Sequence, residues 1–129
     1  MQGKFLEELS VGQSAELLRT VGEADIEAFA EVTGDNNPVH LDADYAAKTS
    51  FGERIAHGML SAGYISAVLG TTLPGPGAIY LSQALRFKRP VKIGDEVTAR
   101  ATITEIDEAK ARVTFSTTCL VNGKPVVEG

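Results

Sequence analysis

Two residue types suited to proton transfer meet in one short stretch, Gly34-Asp35-Asn36-Asn37-Pro38-Val39-His40. Asp35 precedes His40 by five residues, and Pro38 lies between them. Proline has no N–H, and its ring disfavours helical backbone at the residue before it, here Asn37. Asp35 and His40 are therefore not stacked neighbours on one continuous helix. A kinked loop must bring the two side chains together. A carboxylate and an imidazole on a stiffened loop can take a proton from one substrate atom and return it to another. The same residues, taken alone, also make an ordinary turn with a surface aspartate and a surface histidine.

The elements around this stretch read in order. Residues 14–21 form a short first strand, which Gly22 breaks. Glu23, Ala24 and Asp25 place acids where a helix begins, and Ile26, Phe29, Ala30 and Thr33 follow helical spacing. Gly34 suits the left-handed residue that ends a helix, so Asp35 stands just past that end. A second short helix is expected from Asp42 through Tyr45, Ala46 and Thr49, stopped by Gly52. From Ile55 to Leu85 there is no Asp, Glu, Lys or Arg. Apolar and small residues run all round the segment from His57 to Thr72, which predicts a helix buried on every side. Gly and Ser break it too often to span a bilayer, which needs about 20 apolar residues. Pro74-Gly75-Pro76-Gly77 ends it.

The period then becomes two. Ile79 to Lys88, Val97 to Thr104 and Arg112 to Val121 alternate apolar with polar residues, and each predicts a half-buried strand. Asn122-Gly123 is a hairpin signal, and the stretch from Val126 begins one more strand. One helix followed by an antiparallel meander implies an α+β fold, a curved sheet wrapped around that helix. A single layer of sheet leaves edges to cover, which predicts a homodimer.

Bulk properties narrow the class. The chain has 129 residues, 43% hydrophobic and 22% charged, the composition of one soluble globular domain spanning residues 1–129. Its formal charge of −5 argues against nucleic acid as a partner. One cysteine, Cys119, rules out an intrachain disulfide and fits the cytoplasm, and the first residues lack a signal-peptide layout.

The stretch from Phe29 to Asp42 resembles the hydratase motif of the MaoC-like, (R)-specific enoyl-CoA hydratases. Ile55-Ala56-His57-Gly58-Met59-Leu60 resembles that family's helix start. Pro74 to Tyr80 and Phe87 to Val97 match it too. The resemblance covers the chain from about Phe29 onward. It implies a hot-dog fold and the short hydratases that supply (R)-3-hydroxyacyl-CoA for polyhydroxyalkanoate synthesis. The implied reaction is reversible addition of water to a trans-2-enoyl thioester. By the resemblance, Asp35 activates water and His40 shares the proton transfers, as acid toward C2. Asn37 fixes the loop. The Gly58 N–H, at the helix start, polarises the thioester carbonyl, and Ser66 matches a family serine near the pair. The implied partner is an acyl-CoA substrate, with no metal or organic cofactor required.

Other assignments stay open beside this one. Ser66 reads equally as packing. His57 reads as a backbone-bonding residue at the helix start or as a second catalytic group. Asp42 and Asp44 form a metal-like string with His40, but no third strong ligand is evident and Asp42 serves as a helix cap. Arg86, Lys88, Arg89 and Lys92 read as a solvated edge or as contacts to coenzyme A phosphates. Cys119 falls on the inward phase of its strand. The same fold and pair also suit a dehydratase acting on acyl carrier protein thioesters. A thioesterase with its carboxylate on the central helix is disfavoured by that helix's lack of acids. A non-catalytic acyl-thioester binding module would not need both Asp35 and His40.

Overall fold

The structure is a computed structural model and describes residues 2–129. A short 3-10 turn, Leu6–Glu8, leads into strand β1, Ser14–Thr20. Helix α1, Glu23–Thr33, begins where the Asp25 carboxylate accepts the Gly22 N–H at 2.8 Å. It ends at Gly34, whose φ of 82° is left-handed and whose N–H reaches the Ala30 carbonyl. A one-turn helix, α2, Pro38–Leu41, follows within the stretch read as a plain loop. Proline at its first position needs no hydrogen-bond partner for a missing N–H, and the Asn37 side chain caps it by accepting from the Val39 N–H. Helix α3, Ala43–Ala47, is capped by Asp42, whose Oδ1 accepts from the Asp44 and Tyr45 N–H groups.

The long helix α4, Gly58–Thr71, comes next, then strands β2, Arg86–Phe87, β3, Glu96–Asp107, β4, Arg112–Val121, and β5, Lys124–Glu128. The strands form one antiparallel sheet in the order β1-β3-β4-β5-β2. Asn122 and Gly123 turn β4 into β5 with φ values of 51° and 74°, as an Asn-Gly hairpin requires. On one face of β3, Val97, Ala99, Ala101 and Ile103 are fully buried, and Cys119 joins them from β4. The alternation predicted these inward residues correctly. Covering each valine or isoleucine contributes about 1.5–3 kcal/mol.

α4 contacts β1, β3, β4 and β5, so four strands curve around one helix. This is the α+β, hot-dog arrangement. Alanines at 99 and 101 keep the inner face of β3 shallow where the helix approaches. No helix among the described residues is long and apolar enough to cross a membrane.

Two expectations need correction. α4 is not buried all round. Ser61, Ile65 and Val68 form its buried stripe, whereas Gly58, Met59, Gly63, Ser66 and Gly70 are exposed. The sheet covers one side of the helix, and the other side opens onto a cavity. The predicted strand from Ile79 to Lys88 is also mostly absent. Only Arg86 and Phe87 pair with β5, and residues 78–85 make no ladder within the chain. Ile79 and Leu81 stand 83% and 66% exposed. The alternating pattern identified side chains that need cover, but this chain supplies no strand to pair with them.

Candidate active site

Three local structures converge: the end of α1, the turn α2 and the start of α4. Gly34 swings the chain out of α1. Asp35 follows, its N–H donating to Thr33 Oγ1 at 3.1 Å. The exposed Asp35 side chain lines a cavity of about 760 Å³. Its Oδ1 lies 3.4 Å from the Asn37 N–H, so one carboxylate oxygen helps shape the loop. Asn37 spends its own side-chain oxygen on the α2 cap, which places it as a loop-fixing residue.

His40 rides on α2 and is buried. Its Nδ1 lies 2.8 Å from the Ile55 carbonyl oxygen. A carbonyl only accepts, so Nδ1 carries the hydrogen, and the neutral ring keeps its lone pair on Nε2. Arg54 secures the same turn: its Nε donates to the His40 carbonyl at 2.7 Å, and its guanidinium pairs with Glu23 at the start of α1.

His57 immediately precedes α4 and is 2% exposed. Its Nε2 donates to the Asp35 backbone carbonyl at 2.9 Å, not to the helix start. Its ring lies 3.8 Å, centroid to centroid, from that of His40, and 4.6 Å from Phe29. One ligand-type atom each from Asp35, His40 and His57 falls within 4.8 Å of the others, so these are the residues placed to share a metal ion. One nitrogen of each ring is already committed to a carbonyl. Asp42, considered with His40 and Asp44, is occupied as the α3 cap.

Gly58 opens α4, so its N–H has no carbonyl within the helix to bond and sits at the favourable end of the helix dipole. It lines a second cavity of about 480 Å³, rimmed by Lys88 and Arg89. Met59 and Phe87 line both cavities and form the divide between them. Ser66, one exposed face of α4 further on, lines the first cavity with Asp35. The cations near the rim are partly engaged: Lys88 pairs with Glu128 at 3.4 Å, Lys92 with Glu53 at 3.7 Å, and Arg89 donates to the Pro125 carbonyl.

Several lining residues were not singled out from the sequence. Tyr80, Gln83 and Leu85 enter the first cavity from the segment expected to be a strand. The Tyr80 hydroxyl donates to Gln83 Oε1, and burial raises its pKa above 10.0, so it stays a protonated donor. Phe87 lay within a matched stretch, but nothing local in the sequence marked its ring as the divide. Cys119 is a core residue, its thiol 3.5 Å from the Ser61 carbonyl.

The curved sheet around one central helix is the fold of solved hydratases. The chain belongs to the MaoC-like domain family, which it matches over residues 7–124. It is 58% identical over 125 residues to an (R)-specific enoyl-CoA hydratase from Rhodospirillum rubrum, covering 97% of this chain and 87% of the relative. Among solved structures, the unliganded R-hydratase PhaJ1 from Pseudomonas aeruginosa aligns with a TM-score of 0.93 at 52% identity, covering 98% of this chain and 82% of that one. The (R)-hydratase from A. caviae involved in PHA biosynthesis also aligns at 0.93, at 46% identity, covering 95% and 94%.

Proposed function

We propose that this protein is an (R)-specific enoyl-CoA hydratase, a hydro-lyase that adds water to trans-2-enoyl-CoA to give (R)-3-hydroxyacyl-CoA. The observation that carries this reading is the placement of the Asp35 carboxylate beside the His40 ring, on the wall of an apolar cavity floored by α4. The R. rubrum relative, (R)-specific by name, supports the substrate class and the stereochemistry.

In this mechanism, a water molecule sits between the Asp35 carboxylate and His40 Nε2. Its oxygen bonds to C3 while its proton passes to the pair. The C2–C3 π electrons move toward the thioester carbonyl, whose growing negative charge meets the Gly58 N–H. C2 then takes a proton from the pair, and both groups return to their starting states. Asp35 is assigned as the base toward water and His40 as the acid toward C2: the proton taken by Asp35 is relayed to His40 Nε2, which delivers it to C2. A thioester seated on Gly58 with C3 near Asp35 must cross the Met59/Phe87 divide. The acyl arm then occupies the larger cavity and the thiol arm the cavity rimmed by Lys88 and Arg89.

The enzyme works as a cytoplasmic homodimer in this proposal. Its support is the edge strand β2 and the exposed, alternating segment before it, which needs both a ladder and an apolar cover.

The decisive experiment is hydration of crotonyl-CoA, followed by loss of enoyl absorbance, with product stereochemistry checked. Asp35→Asn and His40→Ala, each verified as folded by circular dichroism, should lose at least about a hundredfold in turnover. Near-normal hydration by both variants would refute the mechanism. The matching acyl carrier protein thioester, assayed alongside, decides the carrier.

A further inference from the structure

The proposed reaction uses Asp35, His40 and Gly58 and leaves His57 without a task. Yet His57 touches every part of the site. It precedes Gly58 in sequence, holds the Asp35 carbonyl at 2.9 Å and lies against the His40 ring at 3.8 Å with a 30° tilt. Phe29 packs on it as well, at 4.6 Å and 45°. We propose that His57 is a positioning residue: one buried ring that fixes the Asp35 loop and the His40 imidazole against the start of α4.

Packing alone does not account for a histidine here. Its Nε2 faces a carbonyl and therefore carries the hydrogen, which leaves Nδ1 as a lone-pair acceptor in the neutral ring. That Nδ1 is buried and is the one such side-chain atom without a partner among the described residues. An orphaned buried acceptor is destabilising, because it gives up hydration without gaining a partner. A phenylalanine would fill a similar volume without that penalty, but it could not hold the Asp35 carbonyl. The ring thus brings two things together at one position: a donor aimed at the base's own backbone, and a flat face against the second proton-transfer group. Asp35 and His57 are 22 residues apart, and this bond is a direct tie between the water-activating loop and the carbonyl-polarising helix.

The inference rests on the hydratase reading, and the variants separate the two. His57→Gln keeps an amide donor of similar reach and loses the ring. His57→Phe keeps the ring and loses the donor. Both preserve volume, so the fold is retained, and thermal melting checks it. On crotonyl-CoA, His57→Phe should lower kcat about a hundredfold with KM held within about threefold, because the misplacement is felt in the transition state. His57→Gln should recover about tenfold of that loss. An unchanged kcat in His57→Phe, or a loss confined to KM, would overturn the inference. If wild-type protein shows no hydration at all, the hydratase reading falls and the positioning role is read by NMR instead. The chain has only two histidines, so each ring is resolved. Nitrogen-resolved spectra should show His40 with its hydrogen on Nδ1 and His57 with its hydrogen on Nε2, and the His40 ring signals should shift in His57→Gln. Unmoved His40 signals would overturn the role by that route.

Discussion

The Phe87 ring occupies the space a side chain at Gly58 would need: a methyl group at position 58 would sit 2.7 Å from two ring atoms. That distance is well inside van der Waals contact, so the missing side chain at 58 is what lets the edge strand close over the helix start. Phe87 is 53% exposed, and its ring has room to swing aside. Gly58→Ala is therefore expected to fold, with a melting temperature close to that of the parent. Its activity should suffer more, because either the displaced ring or the new methyl intrudes where the proposed mechanism seats the thioester carbonyl against the Gly58 N–H. We expect kcat/KM on crotonyl-CoA to fall by roughly tenfold or more. Adding Phe87→Leu to this variant should restore part of the loss. Equal activity of Gly58→Ala and wild type would mean the carbonyl is polarised elsewhere.

Gly63 offers the opposite situation on the same helix. It lines the larger cavity, and a Cβ built there meets nothing within 4 Å. Glycine inside a helix costs about 0.8–1.0 kcal/mol relative to alanine. Gly63→Ala should therefore raise the melting temperature by a few degrees. Gly63→Leu should project into the space assigned to the acyl arm. Its kcat/KM should fall on longer enoyl-CoA substrates while that on crotonyl-CoA changes little. A uniform loss across chain lengths would place the acyl arm outside this cavity.

The sequence made some of this architecture legible and hid the rest for physical reasons. Alternation predicted the inward set Val97, Ala99, Ala101 and Ile103 because a strand with one covered face has only one phase that works. The same alternation from Ile79 onward failed to predict a strand, since a pattern records which side chains need cover and says nothing about which backbone completes the ladder. The apolar composition of α4 marked it as central, but composition could not show that its small residues, Gly63 and Ser66 among them, face a cavity. α2 carried its own signals in Asn37 and Pro38, and it is too short for periodicity to reveal it. Asp35, Asn37 and His40 were visible because they share one loop. The contact between His57 and Asp35 was not, because nothing local encodes a bond across 22 residues.

The exposed segment before β2 gives a test of assembly. Ile79 and Leu81 are the most solvent-exposed apolar residues of that segment, and β2 lies at the sheet edge. If a second copy covers them, the wild-type protein should sediment at twice the chain mass. Ile79→Glu with Leu81→Glu should then shift it to the monomer. Because Tyr80 and Gln83 from the same segment line the larger cavity, activity should fall together with the dimer. A double variant that remains dimeric would place the interface on another surface.

Cys119 provides the pH prediction. Burial pushes its thiol from 9.0 up to about 12 in the folded chain. Below pH 9 the folded and unfolded states both keep the proton, so the thiol adds no pH dependence. Between pH 9 and pH 12 the unfolded chain has released a proton that the folded chain still holds. The unfolded state then binds fewer protons, and stability falls as pH rises. Burial also raises the Tyr64 and Tyr80 hydroxyls above 10.0, and they act in the same direction at the upper end of this range. Comparison with Cys119→Ala isolates the thiol. The variant should melt lower at pH 7, by the equivalent of about 1 kcal/mol for the lost packing, but its melting temperature should decline less between pH 9 and pH 11. A thiol-specific reagent at pH 8 should leave the native protein unmodified and label it fully once it is unfolded. Rapid labelling of the native protein, or parallel declines in the two melting curves, would show that Cys119 is not sealed in the core.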